Sequence, residues 1–83
     1  MDSRRKRIIF RSQHRGMVET DWFLGRFAER FISDMTDVQL DRFEALLDVG
    51  DNDVFSWVSG REPVPPDYQN DVMDLLIDFN HRR

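Results

Sequence analysis

The side chains that carry out most enzyme chemistry are sparse in this 83-residue sequence and are not grouped. The two histidines, His14 and His81, lie near opposite ends of the chain, and no His-x-x-x-His or Glu-x-x-His spacing could hold a metal. The sequence has no cysteine, no Gly-x-Ser-x-Gly turn to present a nucleophilic serine, and no glycine-rich loop to bind phosphate. We therefore predict a protein that is not itself an enzyme and that binds neither a metal nor a cofactor stably.

The segment best suited to contact another molecule is Arg-Gly-Met-Val-Glu at residues 15–19, here called the corner segment. Gly16 lacks a Cβ, so it can adopt a positive φ and let a second backbone approach closely. If Gly16 caps the helix that follows, Glu19 occupies the third helical position and can reach back to the Gly16 N–H. Arg15 would then project its planar guanidinium beside an exposed turn, where it suits a carboxylate or carbonyl group of a partner.

An ordinary turn between two helices is the alternative interpretation of the corner segment. Arg15 and Glu19 would then form an exposed pair that contributes only about 0.2–0.5 kcal/mol. Met17 and Trp22 are usually core residues, but if they were exposed beside Arg15 they would be interface anchors. In the docking interpretation, Arg15, Gly16 and Glu19 matter more for partner binding than for stability.

Charge is unevenly distributed along the chain. Residues 1–15 carry six basic and one acidic side chain, a net +5, whereas the rest of the chain carries a net −9. A basic arm on an acidic body either steers docking to a partner or is a solvated helix end. Steering predicts that reversing Arg5 and Arg7 to glutamate slows association and leaves the fold intact.

Nucleic-acid binding is the main alternative function for this arm. Its cationic groups could neutralise phosphates and give a salt-dependent affinity. However, the acidic body would repel a duplex, and no aromatic platform or recognition helix accompanies the arm. Docking to a protein is therefore the preferred interpretation, with a small nucleic-acid-binding or regulatory protein as the alternative.

The spacing of apolar residues and the position of proline predict an all-α fold, a compact single domain over residues 1–83 with about five short helices. Apolar runs of at most three residues exclude a transmembrane helix and a secretory signal. The first two helices should cover about residues 4–13 and 17–33. The ends of the other three are indicated by cap and turn residues. These are the Thr36 and Gln39 capping box, Gly50 as a left-handed residue that closes the third helix, Gly60 at the end of the fourth, and Pro66 in the first turn of the last helix.

The predicted core draws on four of these helices, and Gly25 would allow close contact between two of them. The side chains expected to be largely buried are Phe27, Phe31, Phe43, Leu47, Trp57, Leu75, Leu76 and Phe79. At the end of the last helix, His81, Arg82 and Arg83 should complement the negative end of the helix dipole.

Beyond these patterns, the corner segment resembles the Arg-Gly-x-x-Glu signature of the succinate dehydrogenase FAD assembly factors. Three further features occur in the order typical of that family: the basic N-terminal helix, the Asp-Asn-Asp-Val-Phe-Ser-Trp-Val block at residues 51–58, and the Gly-Arg-Glu-Pro-Val-Pro connector at residues 60–65. The resemblance covers nearly the whole chain. Because the sequence starts at Met1 without a presequence, it resembles the bacterial branch, which implies a cytoplasmic location.

The resemblance implies a chaperone that binds the flavoprotein subunit of succinate dehydrogenase, with the flavoprotein of the related fumarate reductase as a second candidate partner. It implies that the factor promotes covalent attachment of FAD to a histidine of that subunit. The implied partner-binding residues are Arg15, Gly16 and Glu19, with Met17 and Asp21 as neighbours. Residues 51–58 are implied to be structural, with Trp57 in the core. Neither a nucleic-acid partner nor membrane insertion is expected.

Overall fold

Five α-helices make up most of the computed structural model, which describes residues 1–82. Two short 3-10 turns, Ile32–Asp34 and Pro66–Tyr68, follow the second helix and precede the fifth. No strand forms within residues 1–82, so the predicted all-α class is confirmed, and none of the helices is long and apolar enough to cross a membrane. The expectation for Arg83 lies outside the described residues. The helices are α1 (Ser3–Ser12), α2 (Val18–Phe31), α3 (Asp37–Leu47), α4 (Asp51–Ser59) and α5 (Asp71–Arg82).

Two basic side chains of α1, those of Arg4 and Arg11, form ion pairs with acidic residues in α3 or at its C-cap. Arg4 donates from Nε to Glu44 at 2.6 Å and also pairs with Asp41, while Arg11 pairs with Asp48 at 2.7 Å. These pairs are partly exposed, so each contributes at most about 1 kcal/mol. Much of the charge asymmetry seen in the sequence is thus neutralised within the fold and does not mark a free binding arm.

Arg5 also has a structural role. Its Nε donates to the Ile32 carbonyl at 2.9 Å and its Nη2 to the Met35 carbonyl at 2.6 Å, which closes the 3-10 turn after α2. Its Nη1 pairs at 2.5 Å with Asp2, the residue that caps α1. The expectation that Arg5 can be reversed to glutamate without affecting the fold is therefore wrong, because a carboxylate there would face two carbonyls and Asp2.

Lys6 and Arg7 are the exposed remainder of the basic arm, and neither forms an ion pair with a residue in the described part of the chain. Reversing both to glutamate is expected to shift the melting temperature by no more than about 3 °C. Two cationic groups neutralise too few phosphates for measurable duplex binding at about 0.15 M salt, so neither the wild type nor this variant should bind DNA detectably. Fluorescence anisotropy measures both affinities, and tight wild-type binding that the variant loses would favour the nucleic-acid alternative.

α2 approaches α1 closely at Gly25, as the sequence predicts. A Cβ at Gly25 would lie only 2.9 Å from Cγ of Gln13, so the two helices are in contact where a side chain is missing. α2 ends at Phe31 and not at Ser33, because the chain tightens into the 3-10 turn whose carbonyl at Ile32 accepts from Arg5.

The helix ends were predicted correctly at two of the three positions where a cap or a glycine was expected to mark them. Thr36 accepts the Gln39 N–H at 3.2 Å and the Gln39 side chain accepts the Thr36 N–H at 3.0 Å, which confirms the capping box. Gly60 has a φ of +86° and closes α4, also as predicted. The prediction for Gly50 is wrong: its φ is −62° and its ψ is 148°, because α3 has already ended and Gly50 caps the start of α4.

α5 begins later than the sequence predicts. Pro66 opens a separate 3-10 turn, and Gln69 after it is extended, with φ −83° and ψ 92°. The Asn70 side chain then accepts the Met73 N–H at 3.0 Å and so serves as the N-cap. The placement of Pro66 in the first turn of the last helix is therefore wrong, because a better cap lies four residues further on.

Five of the eight side chains predicted to be largely buried lie in the core, including Trp57 at 9% exposure. The Phe27 ring packs against three other rings, with centroid distances of 4.9 to 5.7 Å. The remaining three are half-buried, and two of them, Phe31 and Phe79, line a surface groove between α2 and α5. The buried five are Phe27, Phe43, Leu47, Trp57 and Leu76, and the half-buried three are Phe31, Leu75 and Phe79.

Candidate functional site

The corner segment forms the turn between α1 and α2. Gly16 is exposed and has a φ of +105°, a backbone conformation that side-chain-bearing residues rarely adopt. Met17 is extended, with φ −104° and ψ 132°, and serves as the N-cap of α2. The predicted positive φ at Gly16 is therefore confirmed, and the turn presents its backbone to solvent beside the first turn of a helix.

Arg15 points into the protein. Its Nε donates to Oδ1 of Asp51 at 2.8 Å, its Nη2 to the Val49 carbonyl at 2.6 Å, and its Nη1 to the Leu47 carbonyl. Only 9% of the Arg15 side chain and 14% of the Asp51 side chain are exposed. The expectation that this guanidinium projects toward a partner is wrong, because Asp51 and the carbonyls after α3 already satisfy its donors.

Further contacts hold the same turn in place. The Arg15 N–H donates to the half-buried carboxylate of Asp21 in α2. Oδ2 of Asp51 lies 3.7 Å from the position that a Cβ on Gly16 would occupy. Asp51 was assigned a structural role from sequence, but its pairing with Arg15 was not predicted, because two residues 36 positions apart leave no local signal. Arg15, Asp21 and Asp51 together fix the position of Gly16.

Glu19 is exposed on the first turn of α2, where its carboxylate favours the positive end of the helix dipole. Because Met17 is the N-cap and Gly16 is not, Glu19 is the second helical residue. The predicted bond from its side chain to the Gly16 N–H is absent from the hydrogen bonds of residues 1–82. Glu19 therefore offers an exposed negative charge next to the glycine turn.

Trp22 adds an exposed aromatic side chain that its residue type assigned to the core. It is 42% exposed, and Val18, one turn before it, is 80% exposed. The Arg26 guanidinium carbon lies 5.1 Å from the Trp22 ring centroid. Helical periodicity could have identified Trp22, since it lies outside the apolar stripe of α2. Met17 is half-buried, so it contributes part of its surface to the same region.

The geometry around the corner suits contact with a protein surface. Among the described residues, no three His, Asp or Glu side chains lie close enough to hold a metal ion. His14, just before the corner, stacks on Phe10 at a centroid distance of 3.9 Å, and its Nδ1 lies 2.7 Å from the Phe10 carbonyl. The site presents a backbone turn, one exposed carboxylate and apolar side chains, a combination typical of protein interfaces.

Comparison with known protein families points to the same family as the sequence of the corner segment does. The family described as flavinator of succinate dehydrogenase matches residues 6–80. The chain belongs to this flavinator family. The matched range includes Asp51 and all five predicted site residues, so the resemblance drawn from the sequence is confirmed.

Several relatives carry the name succinate dehydrogenase assembly factor 2, mitochondrial. The relative from Danio rerio is 34% identical over 85 residues, which cover the whole chain and 54% of the relative. The relative from Candida glabrata is 36% identical over 87 residues, covering the whole chain and 57% of the relative. A third, from Dictyostelium discoideum, is 36% identical over 72 residues, covering 87% of the chain and 51% of the relative. The chain thus spans about half the length of these relatives.

The names of these relatives correct the predicted location. They are called mitochondrial, which points to mitochondria, so the predicted cytoplasmic location is wrong. They also give no support to placing the chain in a bacterial branch of the flavinator family. That prediction relied on the start of the sequence at Met1, which does not determine the compartment.

Proposed function

We propose that this member of the flavinator family is an assembly factor that binds the flavoprotein subunit of succinate dehydrogenase and promotes covalent attachment of FAD to it. The observation that carries the proposal is the exposed turn at Gly16, fixed by the buried Arg15–Asp51 pair within the range that matches the family. The flavoprotein of fumarate reductase is proposed as a second partner of the same corner.

The proposed mechanism requires no catalytic residue from this chain. FAD bound to the partner would supply the electrophile and a histidine of the partner the nucleophile, so this factor would need only to hold the partner in a productive arrangement. Gly16, Met17 and Glu19 make the contacts, while Arg15 and Asp21 hold the turn. We accordingly propose that the chain is not an enzyme and that it binds FAD only as the group attached to its partner.

Replacing Glu19 with alanine is expected to weaken binding of the flavoprotein subunit about tenfold, because one charge-assisted contact is lost. The melting temperature should change by no more than about 3 °C, since the Glu19 side chain is exposed. In cells that lack their own assembly factor, in-gel flavin fluorescence should show a smaller fraction of flavoprotein with covalent FAD than the wild type gives.

The matched control is Glu62→Ala, which removes an exposed carboxylate from the connector after α4. It should support flavinylation as well as the wild type does. Full flavinylation by Glu19→Ala would remove Glu19 from the site. The proposed function would be contradicted if cells with the wild-type protein and cells with no assembly factor at all flavinylated the flavoprotein to the same extent.

A further inference from the structure

Four exposed residues of α2 lie along one side of the helix, starting next to the corner segment. Glu19, Trp22, Arg26 and Arg30 follow one another at spacings of three, four and four residues, so they share one helix face. At 1.5 Å per residue, this α2 stripe is about 16 Å long. It therefore extends the corner into a continuous surface with a carboxylate at one end and two guanidinium groups at the other.

The far end of the stripe borders a groove between α2 and α5. The floor of this groove is formed by the half-buried rings of Phe31 and Phe79, whose centroids lie 6.0 Å apart at an interplanar angle of 86°. Arg30 and Arg82 form its sides, and Arg82 pairs with Asp78 at 2.9 Å. The groove has a volume of about 260 Å³, enough for one or two side chains of a partner.

Arg26 and Arg30 are available to carboxylates from outside the molecule. Neither forms an ion pair with a carboxylate among residues 1–82, unlike Arg4, Arg11 and Arg15. The guanidinium carbon of Arg26 lies 5.1 Å from the Trp22 ring centroid, and that of Arg30 lies 5.5 Å from the Phe31 ring centroid. Contact through the guanidinium face leaves the N–H groups at its edge free to donate.

We propose that this groove receives an acidic segment of the flavoprotein subunit, which rests on the proposed function. Carboxylates of that segment bind Arg26 and Arg30, and an apolar side chain next to them packs onto the exposed surface of the Phe31 and Phe79 rings. The opposite charge of Glu19 at the other end of the α2 stripe favours a basic group of the partner there. The stripe therefore selects both the partner segment and the direction in which it lies.

The charges around the groove favour a peptide carboxylate over a phosphate ligand. Asp78 lines the groove together with Arg30, and Glu29 lines an adjoining pocket with Arg26, Arg30 and Phe79. Their negative charges repel a phosphate dianion more strongly than a single carboxylate. The aromatic floor also suits an apolar side chain, which a peptide carries and a phosphate lacks.

The test compares two double variants in which basic residues are reversed to glutamate. The α2 variant carries Arg26→Glu and Arg30→Glu, and the α1 variant carries Lys6→Glu and Arg7→Glu. Both variants change the net charge equally, and all four side chains are exposed. Calorimetric titration of the isolated flavoprotein subunit should give a Kd about tenfold or more higher for the α2 variant, with a weaker dependence on salt. The α1 variant should stay within about threefold of the wild type. If the α2 variant fails to fold, Arg26→Gln with Arg30→Gln should show the same loss.

Three results would overturn the groove as a docking site. The first is wild-type affinity in the α2 variant, and the second is an equal loss in both variants, which would show a general effect of net charge. The third is displacement of the flavoprotein by inorganic pyrophosphate at about millimolar concentration, matched for ionic strength, which would assign the groove to a phosphate ligand. Failure of the wild type itself to bind the flavoprotein would overturn the proposed function together with this docking site.

Discussion

Replacing Arg15 with alanine is expected to lower the free energy of unfolding by about 3–5 kcal/mol. The change leaves the Asp51 carboxylate without its partner at a position where only 14% of that side chain is exposed. It also removes the donors to the Leu47 and Val49 carbonyls at the end of α3. A domain of this size has a total stability of roughly 4–12 kcal/mol, so much of the chain would unfold near physiological temperature.

The control for this prediction is Arg11→Ala, four residues earlier in α1. Arg11 pairs with Asp48, but the two side chains are 40% and 73% exposed, so the loss should be no more than about 1 kcal/mol. Arg15→Lys should lie between the two, since an ammonium group cannot reach all three acceptors in the geometry of a guanidinium. Chemical denaturation measures all three values. Similar losses for Arg15→Ala and Arg11→Ala would contradict the assignment of Arg15 as a buried structural contact.

The buried position of Arg15 changes how a loss of function in its variants is interpreted. An Arg15→Ala protein that fails to support flavinylation would be deficient in folding, and partner contact at Arg15 stays an untested prediction. Glu19 does not have this ambiguity, because its side chain is exposed, and at exposed Gly16 the backbone strain of a substitution is the effect that needs a control. Residues on the surface of the corner are therefore the ones whose substitution reports on docking.

Features that depend on residues close together in the sequence could be predicted from the sequence. The capping box at Thr36, the left-handed Gly60 and the apolar faces of α2, α3 and α5 all depend on residues within one or two turns. Predictions were wrong where two local signals competed. Pro66 suits a first helical turn, but Asn70 is the better cap, and Gly50 suits a helix end, but it also suits the N-cap of α4.

The contacts that define the site could not be predicted, because they join distant parts of the chain. Arg15 and Asp51 lie 36 positions apart, and no periodicity or motif in the sequence links the two side chains. The same holds for the basic residues of α1, whose partners on α3 are reached only after the chain turns back. An arginine in a turn has the same sequence pattern whether its guanidinium faces solvent or the core. Tertiary packing decides between them.

Replacing Gly16 with arginine is expected to abolish detectable flavinylation of the partner while most of the protein stays folded. The φ of +105° makes any side chain at this position costly, by about 1–2 kcal/mol. The added Cβ would lie 3.7 Å from the Asp51 carboxylate, an ordinary contact, so no clash with the core adds to that cost. The rest of the side chain would occupy the surface where the backbone of the partner is proposed to approach.

Gly60→Arg provides a control that places the same side chain on a second glycine with a positive φ, in a different part of the molecule. Gly60 also has a positive φ, +86°, and a Cβ there meets no atom within 4 Å, so the two variants should lose similar stability. Gly60 closes α4 at the end opposite Asp51, away from the corner segment, so Gly60→Arg should retain flavinylation. In-gel flavin fluorescence, read beside the melting temperature of each variant, separates docking from folding. Equal flavinylation by both variants would rule out Gly16 as a contact, and equal loss at equal stability would attribute the effect to strain.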